Sequence, residues 1–86
     1  MIVKIKSWDK MEKEYGLNRR GDIDTYHSFT KDIEKELPKD RIIEVEEDYR
    51  YNTYIWHRED AFYDRYISKD MIEKVITIDN NPEYFI

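Results

Sequence analysis

Residues 42–57 of this chain read IIEVEEDYRYNTYIWH and form the stretch that decides the fold. The β-branched run at residues 42–46 predicts a strand, and an acidic stretch leads from it into a turn at about residues 48–52. Residues 53–57 predict a returning strand with Tyr54 and Trp56 on its buried face. Together these parts predict an antiparallel β-hairpin.

The N-terminal segment predicts a strand followed by a short helix. Val3 and Ile5 alternate with lysines, and this period-two pattern predicts a strand at residues 2–6. Ser7 is the expected helix N-cap, because its hydroxyl can accept a hydrogen bond from a free backbone N–H of the first turn. Gly16 is placed to end the helix in a left-handed conformation.

A second short helix is predicted at residues 30–37. Thr30 is its expected N-cap, and Pro38 ends it because the proline ring pushes Leu37 out of the helical region. Apolar side chains with helical spacing should pack both helices onto one face of the sheet. These side chains are Trp8, Met11, Tyr15, Phe29, Ile33 and Leu37.

The last third of the chain predicts a loop, a helix start and a final strand. Residues 58–65 are charged and aromatic without a clear period, which is typical of a loop. Ser68 is the expected N-cap of a helix, with an apolar contact between Ile67 and Ile72 across its first turn. Residues 75–78 predict the final short strand.

Length and composition favour one domain spanning residues 1–86. A chain of 86 residues accommodates one domain, and an aromatic content of 15% excludes ordinary disorder. We expect an α+β fold with a small antiparallel sheet of about three or four strands and two short helices in the N-terminal half. No apolar run reaches the roughly 20 residues of a membrane span, and the absence of cysteine favours a cytoplasmic protein.

The charge of the chain is unevenly distributed. The net charge is −5, yet residues 1–20 carry +3 and residues 21–86 carry −8. A net acidic domain has no overall attraction for a phosphate backbone and is expected to prefer partners with basic surfaces. The basic N-terminal segment still allows a local contact with nucleic acid. The simplest alternative is that interspersed charge only keeps a small domain soluble.

The residue types needed for metal, cofactor or covalent chemistry are sparse. His27 and His57 are thirty residues apart, neither has a second histidine one helical turn away, and both are expected to be surface residues. The chain has no cysteine nucleophile, and its two glycines form no phosphate-binding loop. We therefore predict no catalytic residue, no metal ligand and no cofactor. The enzymatic alternative is a hydrolase that uses acids such as Glu59 and Asp60.

Carboxylates and tyrosines are interleaved from residue 44 to residue 66. Tyrosine offers a large rigid contact area with a polar tip, which suits a protein interface. Carboxylates can also take the positions of phosphates in a nucleic-acid-binding groove. The alternative is a solvated hairpin with partly exposed tyrosines. The residues expected to bind a partner are Glu44, Glu46, Glu47, Asp48, Tyr49, Tyr51, Glu59, Asp60 and Asp64.

The sequence has a Ser-Trp-acid start at residues 7–9, a Phe-Thr helix cap at residues 29–30 and a closing Ile-Ser-x-x-Met-Ile segment at residues 67–72. These short motifs, within about residues 3–76, resemble those of small phage and prophage proteins of Gram-positive bacteria. The resemblance implies an SH3-like barrel with helical insertions. Some small acidic phage proteins inhibit host defence, including anti-CRISPR proteins that mimic DNA, so the resemblance also implies a function of this kind.

The expected function is that of a non-enzymatic, phage-type inhibitor in the host cytoplasm. Its partner would be a host defence protein, such as a CRISPR effector, that offers a basic nucleic-acid-binding surface. No membrane partner is expected, and direct binding of nucleic acid is disfavoured by the net charge. The alternative is a small nucleic-acid-binding domain that uses the basic side chains of residues 4–20.

Overall fold

The chain folds as a small α+β protein with two antiparallel three-stranded sheets. The computed structural model describes residues 1–58 and 64–85. In chain order, the elements are β1 (Ile2–Ile5), α1 (Trp8–Tyr15), α2 (Lys31–Glu36), β2 (Ile42–Glu44), β3 (Glu46–Asp48), β4 (Thr53–Trp56), β5 (Arg65–Ser68) and β6 (Ile72–Ile76), with 3₁₀ turns at Lys69–Met71 and Pro82–Phe85.

The first sheet has the strand order β2-β1-β6, with β1 in the centre. Val3 on β1 lies opposite Ile43 on β2 and Val75 on β6. Val3 and Ile5 are fully buried, as their alternation with lysines predicts, because successive side chains of a strand point to opposite faces. The first sheet therefore contributes aliphatic side chains to the core.

The second sheet has the order β3-β4-β5, with β4 in the centre. Asp48 at the end of β3 lies opposite Thr53 at the start of β4, and residues 49–52 form the connecting loop. Asn52 in this loop has a φ of 52°, a conformation that asparagine tolerates better than most residues. The predicted hairpin is confirmed for these two strands.

The predicted strand at residues 42–46 is divided between the sheets. β2 pairs with β1 and β3 pairs with β4, so the chain changes sheets at Val45. Val45 N–H donates to the Met1 carbonyl at 2.8 Å, and the Met1 nitrogen donates to the Val45 carbonyl at 3.1 Å. Instead of one sheet of three or four strands, one extended run thus serves as an edge strand of two sheets.

The helices begin where the sequence predicts. Ser7 Oγ accepts a hydrogen bond from Lys10 N–H at 3.2 Å, and Thr30 Oγ1 accepts one from Ile33 N–H at 3.2 Å. Gly16 ends α1 with a φ of 74°. All six predicted helix-face residues belong to the core or pack against it: Trp8, Met11, Tyr15, Phe29, Ile33 and Leu37.

The predicted helix after Ser68 is only a single 3₁₀ turn, and the predicted cap by the Ser68 side chain is wrong. Ser68 is the last residue of β5, and its hydroxyl accepts a hydrogen bond from His27 N–H at 3.0 Å instead of capping a helix. A 3₁₀ turn at Lys69–Met71 leads directly into β6. The last strand therefore begins at Ile72, earlier than the predicted residues 75–78.

The buried face of β4 also differs from the predicted one. Thr53 and Tyr54 are both buried, whereas Trp56 is half-buried at the edge of the core. The Arg58 guanidinium lies 5.1 Å from the centre of the Trp56 ring and covers it. The predicted loop at residues 58–65 falls largely outside the described residues, and Arg65 at its end already belongs to β5.

In the described ranges, the structure shows no helix with the length and apolar character needed to cross a membrane.

Candidate partner-binding site

Part of the predicted binding segment lines a groove on the surface. A cavity of about 690 Å³ opens where the chain passes from β2 to β3. We call it the acidic groove, because three glutamates contribute to its wall. Its lining residues are Met1, Glu44, Val45, Glu46, Glu47, Tyr49 and His57.

Strand alternation places two of these glutamates on the same side of the chain. Ile43 and Val45 are buried in the core, while Glu44 and Glu46 are exposed. This alternation continues from β2 through Val45 into β3, because successive side chains of an extended chain point to opposite faces. The core contacts of the two aliphatic side chains therefore turn both carboxylates outward.

The other two groove residues of the predicted set differ in exposure. Tyr49 lies on the loop after β3 with 87% of its surface exposed. Glu47 is half-buried, and the Lys69 ammonium lies 4.0 Å from its carboxylate. This nearby cation offsets part of the negative charge that Glu47 brings to the groove.

His57 completes the wall of the groove between two carboxylates. Its Nε2 lies 2.7 Å from Glu46 Oε2, and its Nδ1 lies 3.0 Å from Asp64 Oδ2. The hydrogen bond with Glu46 raises the pKa of His57 above its usual value of 6.5, and the charge of Asp64 acts in the same direction. Negative groups on both sides favour the protonated ring.

Asp48 was predicted to be an exposed binding residue, and the structure corrects this. Its side chain is only 4% exposed and holds the hairpin loop. Asp48 Oδ1 accepts hydrogen bonds from the backbone N–H of Arg50 at 3.1 Å and from its side-chain Nε at 3.2 Å. The bond from the Arg50 side chain lowers the pKa of Asp48. An aspartate that bonds the backbone two residues on is a turn-forming residue.

Of the remaining predicted residues, Tyr51 and Asp64 do not line the groove. Tyr51 lines a separate cavity of about 280 Å³ that it shares with Tyr26. Asp64 contacts His57 in the groove wall. Glu59 and Asp60 lie outside the described residues, as does the hydrolase alternative that used them.

Sequence reasoning missed the part played by His57. His57 is exposed as predicted. In the register of the hairpin, Glu46 lies opposite Ile55. His57, two positions after Ile55, therefore lies beside Glu44 and Glu46. The predicted strands at residues 42–46 and 53–57 already contained these residues, and the register between the strands was the missing information. His27, also predicted on the surface, is half-buried, with its ring stacked 5.5 Å from the Tyr66 ring.

The basic N-terminal segment is partly engaged within the chain. Lys4 pairs with Glu73 at 3.6 Å, and Lys6 pairs with Glu14 at 2.8 Å. The Glu14 hydrogen bond raises the pKa of Lys6 and lowers that of Glu14. These contacts leave less of the segment's positive charge available to a phosphate backbone.

Within residues 1–58 and 64–85, no group of three or more histidine and acidic side chains is arranged to hold a metal ion. Each ring nitrogen of His57, either of which could ligate a metal, forms a hydrogen bond with a carboxylate. No family model matches the chain, and comparisons with curated proteins and with solved structures gave no match.

Proposed function

We propose that this protein is a non-enzymatic binding protein that occupies a basic, nucleic-acid-binding surface of another protein. The observation that carries the proposal is the acidic groove, in which Glu44 and Glu46 are held outward beside the exposed ring of Tyr49. The resemblance of the sequence extends the proposal to a phage-type inhibitor of a host defence protein, such as an anti-CRISPR protein.

The proposed groove would recognise arginine and lysine side chains. Carboxylates form short, charge-assisted hydrogen bonds with guanidinium groups, and these are about twice as strong as bonds between neutral groups. Opposite charges also accelerate the encounter of two proteins, mainly at low salt. Tyr49 would add a rigid aromatic contact in the centre of the interface.

Mimicry of DNA is the form of inhibition that this chemistry fits. A protein that binds nucleic acid gains much of its affinity from lysine and arginine contacts to phosphates. Carboxylates that take the place of phosphates would compete for the same side chains. The net charge of −5 supports such a role, since it repels nucleic acid while attracting proteins that bind it.

A second candidate is direct binding of nucleic acid by the basic N-terminal segment. One observation favours it: Arg19 and Arg20 line a surface cavity of about 370 Å³. Asn18 Oδ1 accepts hydrogen bonds from the backbone N–H groups of Arg20 and Asp22 and so fixes this loop. The ion pairs of Lys4 and Lys6 with glutamates count against it.

The proposal includes an SH3-like barrel that carries two short helices in its N-terminal half. Its support is the pair of three-stranded antiparallel sheets that share one extended run through Val45. In small barrels, strands commonly pass from one sheet to the other through such bends.

The test compares two variants with equal losses of charge, using an oligo-arginine peptide as a model of a basic surface. The groove variant neutralises Glu44, Glu46 and Glu47 to glutamine. The control neutralises three exposed acids outside the groove and is Glu12→Gln, Asp79→Asn, Glu83→Gln. We expect calorimetry at low salt to show at least about tenfold weaker binding for the groove variant than for the control.

Equal weakening of the two variants would show that only net charge matters and would overturn the proposed site. A mobility-shift assay with duplex and single-stranded DNA tests the second candidate. A shift that falls steeply with salt, and that disappears when Arg19 and Arg20 are changed to glutamine, would favour direct binding of nucleic acid.

A further inference from the structure

His57 joins the three strands of the second sheet at one end. Glu46 is the first residue of β3, His57 follows the end of β4, and Asp64 precedes the start of β5. The ring nitrogens lie 2.7 Å from the Glu46 carboxylate and 3.0 Å from the Asp64 carboxylate. We call these two contacts the His57 bridge.

The geometry of the His57 bridge requires a protonated ring. A neutral imidazole has one N–H donor and one acceptor nitrogen, while an ionised carboxylate only accepts. Two hydrogen bonds to two carboxylates therefore need both ring nitrogens to carry a proton. When the ring loses one proton, a lone pair of the nitrogen faces a lone pair of a carboxylate, and that contact becomes repulsive.

The other charged groups near His57 do not replace the bridge. Glu44 and Glu47 line the same groove and add negative charge. Arg58, the next residue, places its guanidinium 2.8 Å from Glu36 and over the ring of Trp56. The nitrogen of Met1 is bonded to the Val45 carbonyl. Among the described side chains at this position, His57 is thus the group that titrates near neutral pH.

We propose that His57 acts as a proton-operated switch on the acidic groove, closing it when protonated and opening it to a basic partner when neutral. The protonated ring offsets the charge of Glu46 and holds it against Asp64. Loss of the proton frees one carboxylate and makes the groove more negative by one charge. This inference rests on the proposed function for its effect on binding, but the bridge itself is testable in the free protein.

The direction of the switch follows from the raised pKa of His57, whose first cause is the hydrogen bond with Glu46. A group with a raised pKa in the folded state stabilises the fold fully below its unfolded value of 6.5, and this contribution is lost as the pH rises through the raised value. The bridge is therefore complete in mildly acidic solution. By linkage, a basic partner that prefers the open groove lowers the pKa of His57 on binding.

The first experiment follows the ring signals of His57 by NMR in a pH titration of the free protein. We expect the wild-type ring to titrate above 6.5 and the Glu46→Gln, Asp64→Asn variant to titrate close to that value. Titration of His57 at the same pH in both proteins would overturn the bridge.

The second experiment measures the affinity of the oligo-arginine peptide from about pH 5.5 to about pH 9, where arginine keeps its charge. We expect wild-type affinity to rise about threefold as His57 loses its proton, and the affinity of His57→Gln to rise by a clearly smaller factor. Lys39→Gln, which removes a positive charge from an exposed lysine outside the groove, should keep the wild-type pH dependence.

The two experiments separate the switch from the proposed function. If the peptide binds equally well at every pH while the His57 titration is raised as expected, the groove binds basic partners but His57 does not control it, and the switch is wrong. If the peptide binds at no pH, the proposed function fails, and the NMR titration alone then decides whether the bridge exists.

Discussion

The two sheets of this protein are held together by different kinds of side chain. Every buried residue on the strands of the first sheet is aliphatic, whereas three of the five on the strands of the second sheet are polar. The first set is Val3, Ile5, Ile43 and Ile76, and the second is Asp48, Thr53, Tyr54, Ile67 and Ser68.

The polar residues of the second sheet are satisfied by directed hydrogen bonds. Thr53 Oγ1 donates to the Ile67 carbonyl at 2.6 Å, and Ser68 Oγ accepts from His27 N–H at 3.0 Å. Burial of apolar surface has no preferred direction, but a hydrogen bond fixes both partners. The buried side chains of the first sheet thus contribute aliphatic burial, while those of the second sheet add hydrogen bonds that fix the strands around Glu46, Glu47 and His57.

The short helix α2 connects the two sheets by ion pairs. Glu34 accepts hydrogen bonds from the Arg41 guanidinium, which also donates to the Lys6 carbonyl next to the first sheet at 2.6 Å. Glu36 accepts two bonds of 2.9 Å from Arg65 on the second sheet. Two glutamates of the same helical turn, on roughly opposite sides of the helix, thus reach the two sheets.

The largest effect is expected from removing aliphatic volume in the first sheet. Ile5→Ala should lower the free energy of unfolding by about 3 kcal/mol, because Ile5 is fully buried and the truncation leaves a cavity. Urea denaturation followed by circular dichroism measures this difference. Ile2→Ala, on the same strand but half-buried, is the matched control and should cost about 1 kcal/mol. Equal losses at both positions would contradict the burial pattern of β1.

An exchange of nearly isosteric side chains tests the difference between the sheets more directly. Val3→Thr places a hydroxyl among aliphatic side chains and should cost about 2 kcal/mol for a buried polar group without a partner. Thr53→Val removes the hydroxyl that bonds the Ile67 carbonyl and should cost about 1 kcal/mol. Urea denaturation measures the free energy of unfolding of both variants.

The loss of unfolding free energy in Thr53→Val is the informative result. A Thr53→Val protein that is as stable as the wild type would show that the hydroxyl of Thr53 adds nothing beyond its volume. It would then be wrong to describe the second sheet as one that depends on directed hydrogen bonds.

Local patterns predicted the parts of the fold that depend on neighbouring residues. The Ser7 and Thr30 caps and the buried pair Val3 and Ile5 follow from contacts within a few residues along the chain. The division of the run at Val45 does not, because it depends on the backbone of Met1, 44 residues away. Ser68 fits a helix cap by its neighbours, and it is its pairing with Thr53 on β4 that makes it a strand residue.

The candidate site was predictable to a similar degree. The alternation of Glu44 and Glu46 with buried aliphatic residues could be read from the sequence. The same acidic run contains Asp48, which the sequence does not distinguish from its neighbours. Its carboxylate bonds the backbone and side chain of Arg50 two residues on, a local turn contact that the sequence analysis did not separate from the exposed acids.

The smallest effect is expected from acid acting on the connection between α2 and the second sheet. The hydrogen bond from Arg65 is the main cause that lowers the pKa of Glu36, and Arg58 adds to it. A group with a lowered pKa stabilises the fold above its unfolded value of 4.5, and this contribution is lost as the pH falls through the lowered value. Glu36→Gln should therefore be less stable than the wild type at neutral pH and nearly equal to it in strong acid.

The matched control for Glu36 is Glu12→Gln, an exposed position on α1. Urea denaturation of the three proteins at about pH 7 and about pH 3 isolates the contribution of Glu36, because acid protonates the other carboxylates equally in all of them. The free energy of unfolding of wild type and Glu36→Gln could differ by the same amount at both pH values. This result would mean that the ionised carboxylate does not join the helix to Arg58 and Arg65. The link between α2 and the second sheet would then rest on packing, and the contrast between an aliphatic sheet and an electrostatically positioned one would be weaker than the contacts indicate.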